Sequence, residues 1–338
     1  MATKIVTYSP SLTIPLTRAC INHCLYCGYR KDGDGLLAVS TVNEIVKRAH
    51  QENVSEILIL SGEKADQTPG VRGDLDHLGM DSLVSWTKKV CEYLLDEGLL
   101  PHVNIGTLDA GSLVQLKEVS ASMGLMIEGV NFEVNARIHP GKDLKERIRT
   151  IETAGKLRIP FTTGILLGIG ENQSDRLTSI LAIERIQKEY GHIQEVILQK
   201  YVPNGQSRLT SQEISLEEMR EIVLFCKIHL PGVSIQIPPN LGPYWEELVS
   251  LGADDLGGIG SGKDFVNPES PWPEVDEITQ KVARAGGRLR KRLPIYSQFY
   301  RAGWYSERVA KVLTHWIEGN NEYSYYSQGG VQGQSPLA

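Results

Sequence analysis

Short apolar, β-branched runs alternate along this chain with longer segments of helical periodicity, and the alternation stops at eight pairs. The runs predict strands over 12–17, 56–60, 102–105, 124–128, 161–167, 195–201, 234–238 and 254–256. Between them, helical spacing predicts helices over 41–52, 80–97, 110–120, 143–157, 174–190, 216–228, 244–250 and 274–285. Runs such as Ile57–Leu60 and Ile165–Leu167 are continuously apolar, as strands covered on both faces are. Alternating β and α with buried strands means a parallel sheet, and eight units predict a closed (β/α)8 TIM-type barrel, with an open doubly wound sheet as the alternative. Local signals agree: Ser40 is placed to cap the first helix, Ser215 with Glu218 forms a capping-box pattern, and Gly98 ends the second helix.

Beyond the eighth unit the pattern changes. The predicted domains are a barrel over 1–290, a C-terminal helical extension over 291–318 with an aromatic-rich helix at 305–317, and a tail over 319–338. Arg288–Arg292 reads as a solvated basic face. The tail, rich in Gly, Ser, Gln, Asn and Tyr, is expected to be mobile.

Composition narrows the function. Hydrophobic residues make up 41% of the 338, enough for a large core, and the formal charge of −6 without a long basic run argues against nucleic acid or an anionic membrane. No stretch approaches the apolar length of a membrane span and the first ten residues do not resemble a signal peptide, so a cytosolic chain acting on small molecules is expected. Three of the five cysteines fall within eight residues, and in a reducing compartment that points to metal rather than disulfides.

Cys20-x-x-x-Cys24-x-x-Cys27 follows the first predicted strand, at the end where a barrel's active-site loops emerge. A four-iron cluster held by protein alone takes four thiolates, and three leave one iron open. Such an iron can chelate the amino and carboxylate groups of S-adenosylmethionine and reduce its sulfonium to release a 5′-deoxyadenosyl radical. Tyr26, next to the third cysteine, is placed to flank the adenine. A zinc-binding scaffold with His23 or a remote cysteine as fourth ligand is the bland alternative. Cys91 and Cys226 sit alone in apolar helix patterns and read as buried structural thiols.

The triplet resembles the signature of the radical S-adenosylmethionine superfamily, and Ser61-Gly62-Glu63 after the second strand is similar to its Gly-Gly-Glu turn, which binds the methionine amine. Over about residues 5 to 318 the chain resembles the 7,8-didemethyl-8-hydroxy-5-deazariboflavin synthase family, also called FO synthase subunit 1 or CofG. The resemblance is carried by Tyr8-Ser9-Pro10, Ser61-Gly62-Glu63-Lys64, the stretch from Ala121 to Glu128, the stretch from Ile159 to Glu171, and Val266-Asn267-Pro268-Glu269-Ser270-Pro271-Trp272-Pro273. Leu256 stands before a glycine pair where the family is expected to carry tryptophan.

The resemblance implies a radical SAM fold with a 4Fe-4S cluster and S-adenosyl-L-methionine as cofactors. It also implies a lyase reaction on 5-amino-5-(4-hydroxybenzyl)-6-(D-ribitylimino)-5,6-dihydrouracil that gives the deazaflavin chromophore FO and releases ammonia, methionine and 5′-deoxyadenosine. The implied partners are a separately encoded sister subunit that makes the adduct and an electron donor such as ferredoxin or flavodoxin. The rival within this class is the sister activity itself, coupling tyrosine to the ribityl-uracil.

Candidate site residues follow from position. Glu128 and Arg147 are expected to hold the ribose or methionine end of S-adenosylmethionine, and Gly164 and Gly168 to let backbone pass close to the adenosyl group. His139 and Lys142 are candidates for proton transfer. Asp255, expected at the mouth of the eighth strand, is a candidate catalytic group and ribityl contact, and Lys200, Tyr201 and Asn240 are candidate substrate contacts.

Overall fold

Strands buried on both faces, as several here are, need a hydrogen-bonding partner on each edge, and here closure supplies it. The parallel strands β1 (Lys4–Thr17), β2 (Glu56–Ser61), β3 (Leu100–Asn104), β4 (Ser122–Gly124), β5 (Phe161–Leu167), β6 (Ile193–Lys200), β7 (Ser234–Gln236) and β8 (Asp255–Ile259) pair in chain order, and β1 bonds both β2 and β8. In this computed structural model, residues 3–328 are described except 211, 262, 263, 266 and 268. The barrel is therefore closed, which settles the open-sheet alternative.

Helices α1 (Val39–Gln51), α2 (Pro69–His77), α3 (Leu83–Asp96), α4 (Ala110–Lys117), α5 (Phe132–Ile138) and α6 (Leu144–Lys156) lie between β1 and β5. Helices α7 (Gln173–Tyr190), α8 (Leu216–His229), α9 (Trp245–Leu251) and α10 (Val275–Arg284) complete the ring. The core lies between this ring and the sheet: on β2, Ile57 and Ile59 face outward into it and are fully buried, while Glu56, Leu58 and Leu60 face the barrel interior. No helix among the described residues is long and apolar enough to cross a membrane.

Several expectations need correction. α1 starts at Val39 after Ala38, so Ser40 lies inside the helix rather than capping it, whereas Ser215 and Glu218 do form the reciprocal box at α8. The strand expected over 124–128 is continuous only over Ser122–Gly124; residues 125–127 break its regularity, and Glu128, left-handed at φ 65°, rejoins β5 through a single bridge to Ile165. β1 is longer than expected: its lower half pairs with β8 and with a ninth strand, β9 (Gly287–Lys291), and its upper half with β2. β9 is formed by the stretch read as a solvated basic face, and the residue that ends that stretch, Arg292, is buried in the barrel.

After β9 come α11 (Ser297–Arg301), α12 (Glu307–Gly319) and a 3-10 helix, Asn321–Tyr326. Tyr323 and Tyr326 are fully buried, and the Tyr326 hydroxyl accepts from the Leu293 amide and donates to the Ile295 carbonyl. The expected mobile tail is thus packed structure through this helix, held by aromatic burial and two backbone bonds. Residues 329–338 of that tail, like Val266 and Pro268 of the motif quoted above, lie outside the described residues.

Candidate active site

The cysteine loop leaves the C-terminal end of β1 and is pinned to the turn after β2. Cys20 Sγ accepts from the amides of Asn22 (3.4 Å) and Glu63 (3.3 Å), and Cys27 Sγ accepts from the Arg30 amide (3.4 Å). Gly62 makes this approach possible: a Cβ there would lie 1.9 Å from the Ala19 carbonyl oxygen and 2.6 Å from Cys20 Cβ. Burial raises the Cys20 thiol and pushes that of Cys24 up to about 12.

No three His, Cys, Asp or Glu side chains among the described residues converge tightly enough to hold one metal ion. A four-iron cluster binds each thiolate through a different iron, so it calls for wider spacing than a single zinc does. Cys91 and Cys226 are fully buried in α3 and α8, and His23 is exposed beside Arg30. The donor set fits a cluster: three half-exposed thiols, two already accepting amide bonds as thiolates do.

Above the loop lies a network of charges. The Glu128 carboxylate accepts from the Tyr26 hydroxyl and from Lys142, whose ammonium also donates to Tyr26 Oη at 2.8 Å. Arg147 donates to Glu63 Oε2 (2.7 Å) and to the Met126 carbonyl (2.8 Å), and stands 3.9 Å from Glu128. Burial alone would raise the Glu128 carboxyl, but Lys142, His139 and Arg147 outweigh it and hold Glu128 well below the usual carboxylate range. Burial and the neighbouring Glu128 hold Tyr26 well above the ordinary phenol range.

Asn135 donates its amide to the Gly129 carbonyl, so its oxygen accepts from His139 Nε2–H at 2.8 Å, and His139 Nδ1 faces Glu128 at 3.3 Å. Six of the expected residues, Tyr26, Glu63, Glu128, His139, Lys142 and Arg147, are therefore one contiguous cluster. Its fixed anion and cations can receive the ammonium, carboxylate and hydroxyl groups of a zwitterionic nucleoside.

The remaining candidates are placed differently. Ser61 Oγ donates to its neighbour's carbonyl, Gly62 O, at 2.9 Å. The Cβ-less face of Gly164 is filled by Ile197 of β6, and Gly168, at φ 88°, turns the chain beneath the Gln212 carbonyl. Lys200 borders a small apolar recess with Tyr244 and Trp245. Tyr201 is buried in a minor core with Val134, Ile138, Leu166 and Ile169, its hydroxyl given to Leu209. Asn240 donates to Asp264 and to the Ser270 carbonyl, tying down the segment after β8.

Asp255 is the clearest correction. It begins β8, so it sits at the closed end of the barrel rather than at the mouth. It is fully buried and accepts from Arg292 Nε (2.6 Å) and Nη2 (3.0 Å), and from Thr7. Arg292 also donates to Glu195 at 2.9 Å. Burial opposes the charge on Asp255, but Arg292 wins and holds it below its ordinary value, while burial raises Glu195. Asp255 positions the guanidinium that closes the barrel and does not line the cavity above it.

That cavity, of about 170 Å³, was not anticipated. His102, Asn104, Thr162, Glu195, Gln199 and Gln236 line it, where packed barrels usually carry branched apolar layers. The signal existed: polar residues at 102 and 104 of β3 and at 195 and 199 of β6 are separated by even intervals and so share one face of each strand. Arg292 left no such trace, because linear charge patterns do not show which residue after a strand turns inward.

Comparison with known proteins sharpens the assignment. Residues 14–183 match the Radical SAM superfamily. The 7,8-didemethyl-8-hydroxy-5-deazariboflavin synthase of Methanothermobacter thermautotrophicus is 46% identical over 317 residues, covering 91% of this chain and 97% of that one. Its counterpart in Archaeoglobus fulgidus is 42% identical over 322 residues, covering 94% and 98%. Among solved structures, the FeFe-hydrogenase maturase HydG from Carboxydothermus hydrogenoformans gives a TM-score of 0.69 at 19% identity, covering 96% of this chain and 80% of that one. Methylornithine synthase (PylB) gives 0.64 at 15%, covering 85% and 83%, and at these identities the likeness is one of fold. With the cysteine loop, the charged cluster above it and near-full-length identity in agreement, the chain belongs to the radical SAM superfamily, whose enzymes use a 4Fe-4S cluster and S-adenosylmethionine, and within it to the 7,8-didemethyl-8-hydroxy-5-deazariboflavin synthase family.

Proposed function

We propose that this enzyme converts 5-amino-5-(4-hydroxybenzyl)-6-(D-ribitylimino)-5,6-dihydrouracil into 7,8-didemethyl-8-hydroxy-5-deazariboflavin, releasing ammonia, methionine and 5′-deoxyadenosine. The observation that carries this reading is the 46% identity to a deazariboflavin synthase along 91% of the chain. When bound, the cluster and S-adenosylmethionine supply a hydrogen-abstracting 5′-deoxyadenosyl radical. Cys20, Cys24 and Cys27 hold the cluster, and Ser61, Gly62 and Glu63 receive the methionine amine. Glu128 and Arg147 bind the ribose and carboxylate, and Tyr26 borders the adenine. Lys142, which bridges Tyr26 and Glu128, and His139, which faces Glu128, move the protons that cyclisation and ammonia loss require.

The enzyme acts in the cytosol, on an adduct made by a separate sister subunit, with electrons from a low-potential carrier of the ferredoxin or flavodoxin type. The test is anaerobic turnover of reconstituted enzyme with the purified adduct. Formation of the fluorescent deazaflavin with one 5′-deoxyadenosine per product is expected. Consumption of tyrosine and ribityl-uracil in place of the adduct would transfer the chain to the sister activity.

A further inference from the structure

The barrel cavity is polar but carries little free charge. Arg292, at its base, is consumed by Asp255 and Glu195, and Glu195 also accepts from Thr162 at 3.1 Å. The Ser122 hydroxyl donates its proton to the Pro294 carbonyl, so it accepts from His102 Nδ1–H at 2.7 Å, and His102 Nε2 presents a bare lone pair. Burial supports this neutral tautomer, depressing the imidazole to about 3. The carboxamides of Asn104, Gln199 and Gln236 line the same space and have no side-chain hydrogen-bond partner among the described residues. Each offers both a donor and an acceptor.

This lining suits a ligand dense in hydroxyls, since every hydroxyl also donates and accepts; of its charged groups, Glu195 is bonded to Arg292, and Glu56, 3.8 Å from Arg292, accepts from Ser11 at 3.3 Å. The mouth is different. Met126, Pro238, Leu241, Phe265 and Trp272, contributed after the strand ends, give it apolar and aromatic walls, while the polar Asn267 and Asp264 there are bonded to each other and Asn240 donates to Asp264 as well. The mouth also adjoins the charged cluster: Leu60 of β2 leads to Gly62 and Glu63, and Met126 lies two residues before Glu128.

We propose that the substrate enters sugar-alcohol first. Its ribityl chain occupies the basin formed by His102, Asn104, Gln199 and Gln236, and its hydroxybenzyl end is left at the mouth beside S-adenosylmethionine. This orientation rests on the function proposed above and adds the subsite that selects the chain.

The experiment measures equilibrium binding to cluster-loaded enzyme without reductant. It uses two probes: the natural adduct and an analogue carrying 2-hydroxyethyl in place of ribityl. Wild-type enzyme is expected to bind the analogue about 100-fold more weakly, the loss of two to three net hydrogen bonds. Asn104→Leu, Gln199→Met and Gln236→Met are each expected to weaken the natural adduct by about tenfold and to leave the analogue's affinity unchanged, which also shows that the variants are folded. Equal wild-type affinity for both probes would overturn the orientation while leaving the proposed function standing. So would variants that weaken both probes alike. If wild-type enzyme binds neither probe, the proposed function falls and this inference with it.

Discussion

At the scale of single residues, Glu128 is the point on which the charged cluster turns. It takes a left-handed backbone that costs about 1–3 kcal/mol for a side chain other than glycine, and it gathers Tyr26, Lys142, His139 and Arg147 within reach of one carboxylate. Glu128→Gln keeps the shape and removes the charge. It should weaken S-adenosylmethionine binding roughly ten- to hundredfold, the worth of one charge-assisted bond, by equilibrium dialysis; wild-type affinity would remove Glu128 from the site. His192 shows the opposite case, a fully buried ring whose burial no neighbouring carboxylate offsets. It lies against Phe161 and Tyr190, and burial depresses its pKa to about 4 from the usual 6.5 or so. As pH falls below about 6.5 the unfolded chain takes up a proton that the folded chain refuses, so stability is lost at up to about 1.4 kcal/mol per unit until pH approaches 4. His192→Leu should therefore flatten the decline in melting temperature between pH 6.5 and 5. An unchanged slope would show that His192 is not buried as a neutral ring.

Among elements, what was legible and what was not divides along a physical line. β5 was read with its observed bounds and α8 with its capping box, because local periodicity and capping chemistry specify them. α2 and α5 were missed: both are short and lie in loops at the mouth, where tertiary contacts decide. β4 was overextended because the sequence pattern stays apolar through Ile127 while the backbone becomes irregular after Gly124 and touches β5 again only at Glu128. The basic segment was read as solvated because five residues seen in line do not reveal that β9 faces outward while the residue following it plugs the barrel. That plug has a measurable consequence. Arg292→Met would leave Asp255 and Glu195 buried without their counter-charge, a loss of about 3–5 kcal/mol, and should lower the melting temperature by roughly 5–10 °C. Pairing it with Asp255→Asn should cost less than the two changes summed; strict additivity would mean that the two side chains do not interact.

On the scale of the whole molecule, the chain stacks three layers of chemistry along one barrel axis. A buried ionic base is set by Arg292, a polar basin rich in carboxamides lies above it, and a cysteine loop with its charged cluster stands at the mouth. The top layer was legible from the sequence because ligand spacing is local: three cysteines in eight residues and a Ser-Gly-Glu turn identify it without the fold. The lower two layers depend on which face of each strand turns inward, and that is set only when the barrel closes. The account as a whole stands on a cluster with one iron left open to S-adenosylmethionine. Its most direct test is electron paramagnetic resonance of the anaerobically reconstituted, reduced enzyme with and without S-adenosylmethionine, alongside iron and sulfide analysis. About four of each per chain, with a signal that changes when S-adenosylmethionine is added, is the predicted result. Bound zinc without sulfide, or a four-iron signal indifferent to S-adenosylmethionine, would contradict it.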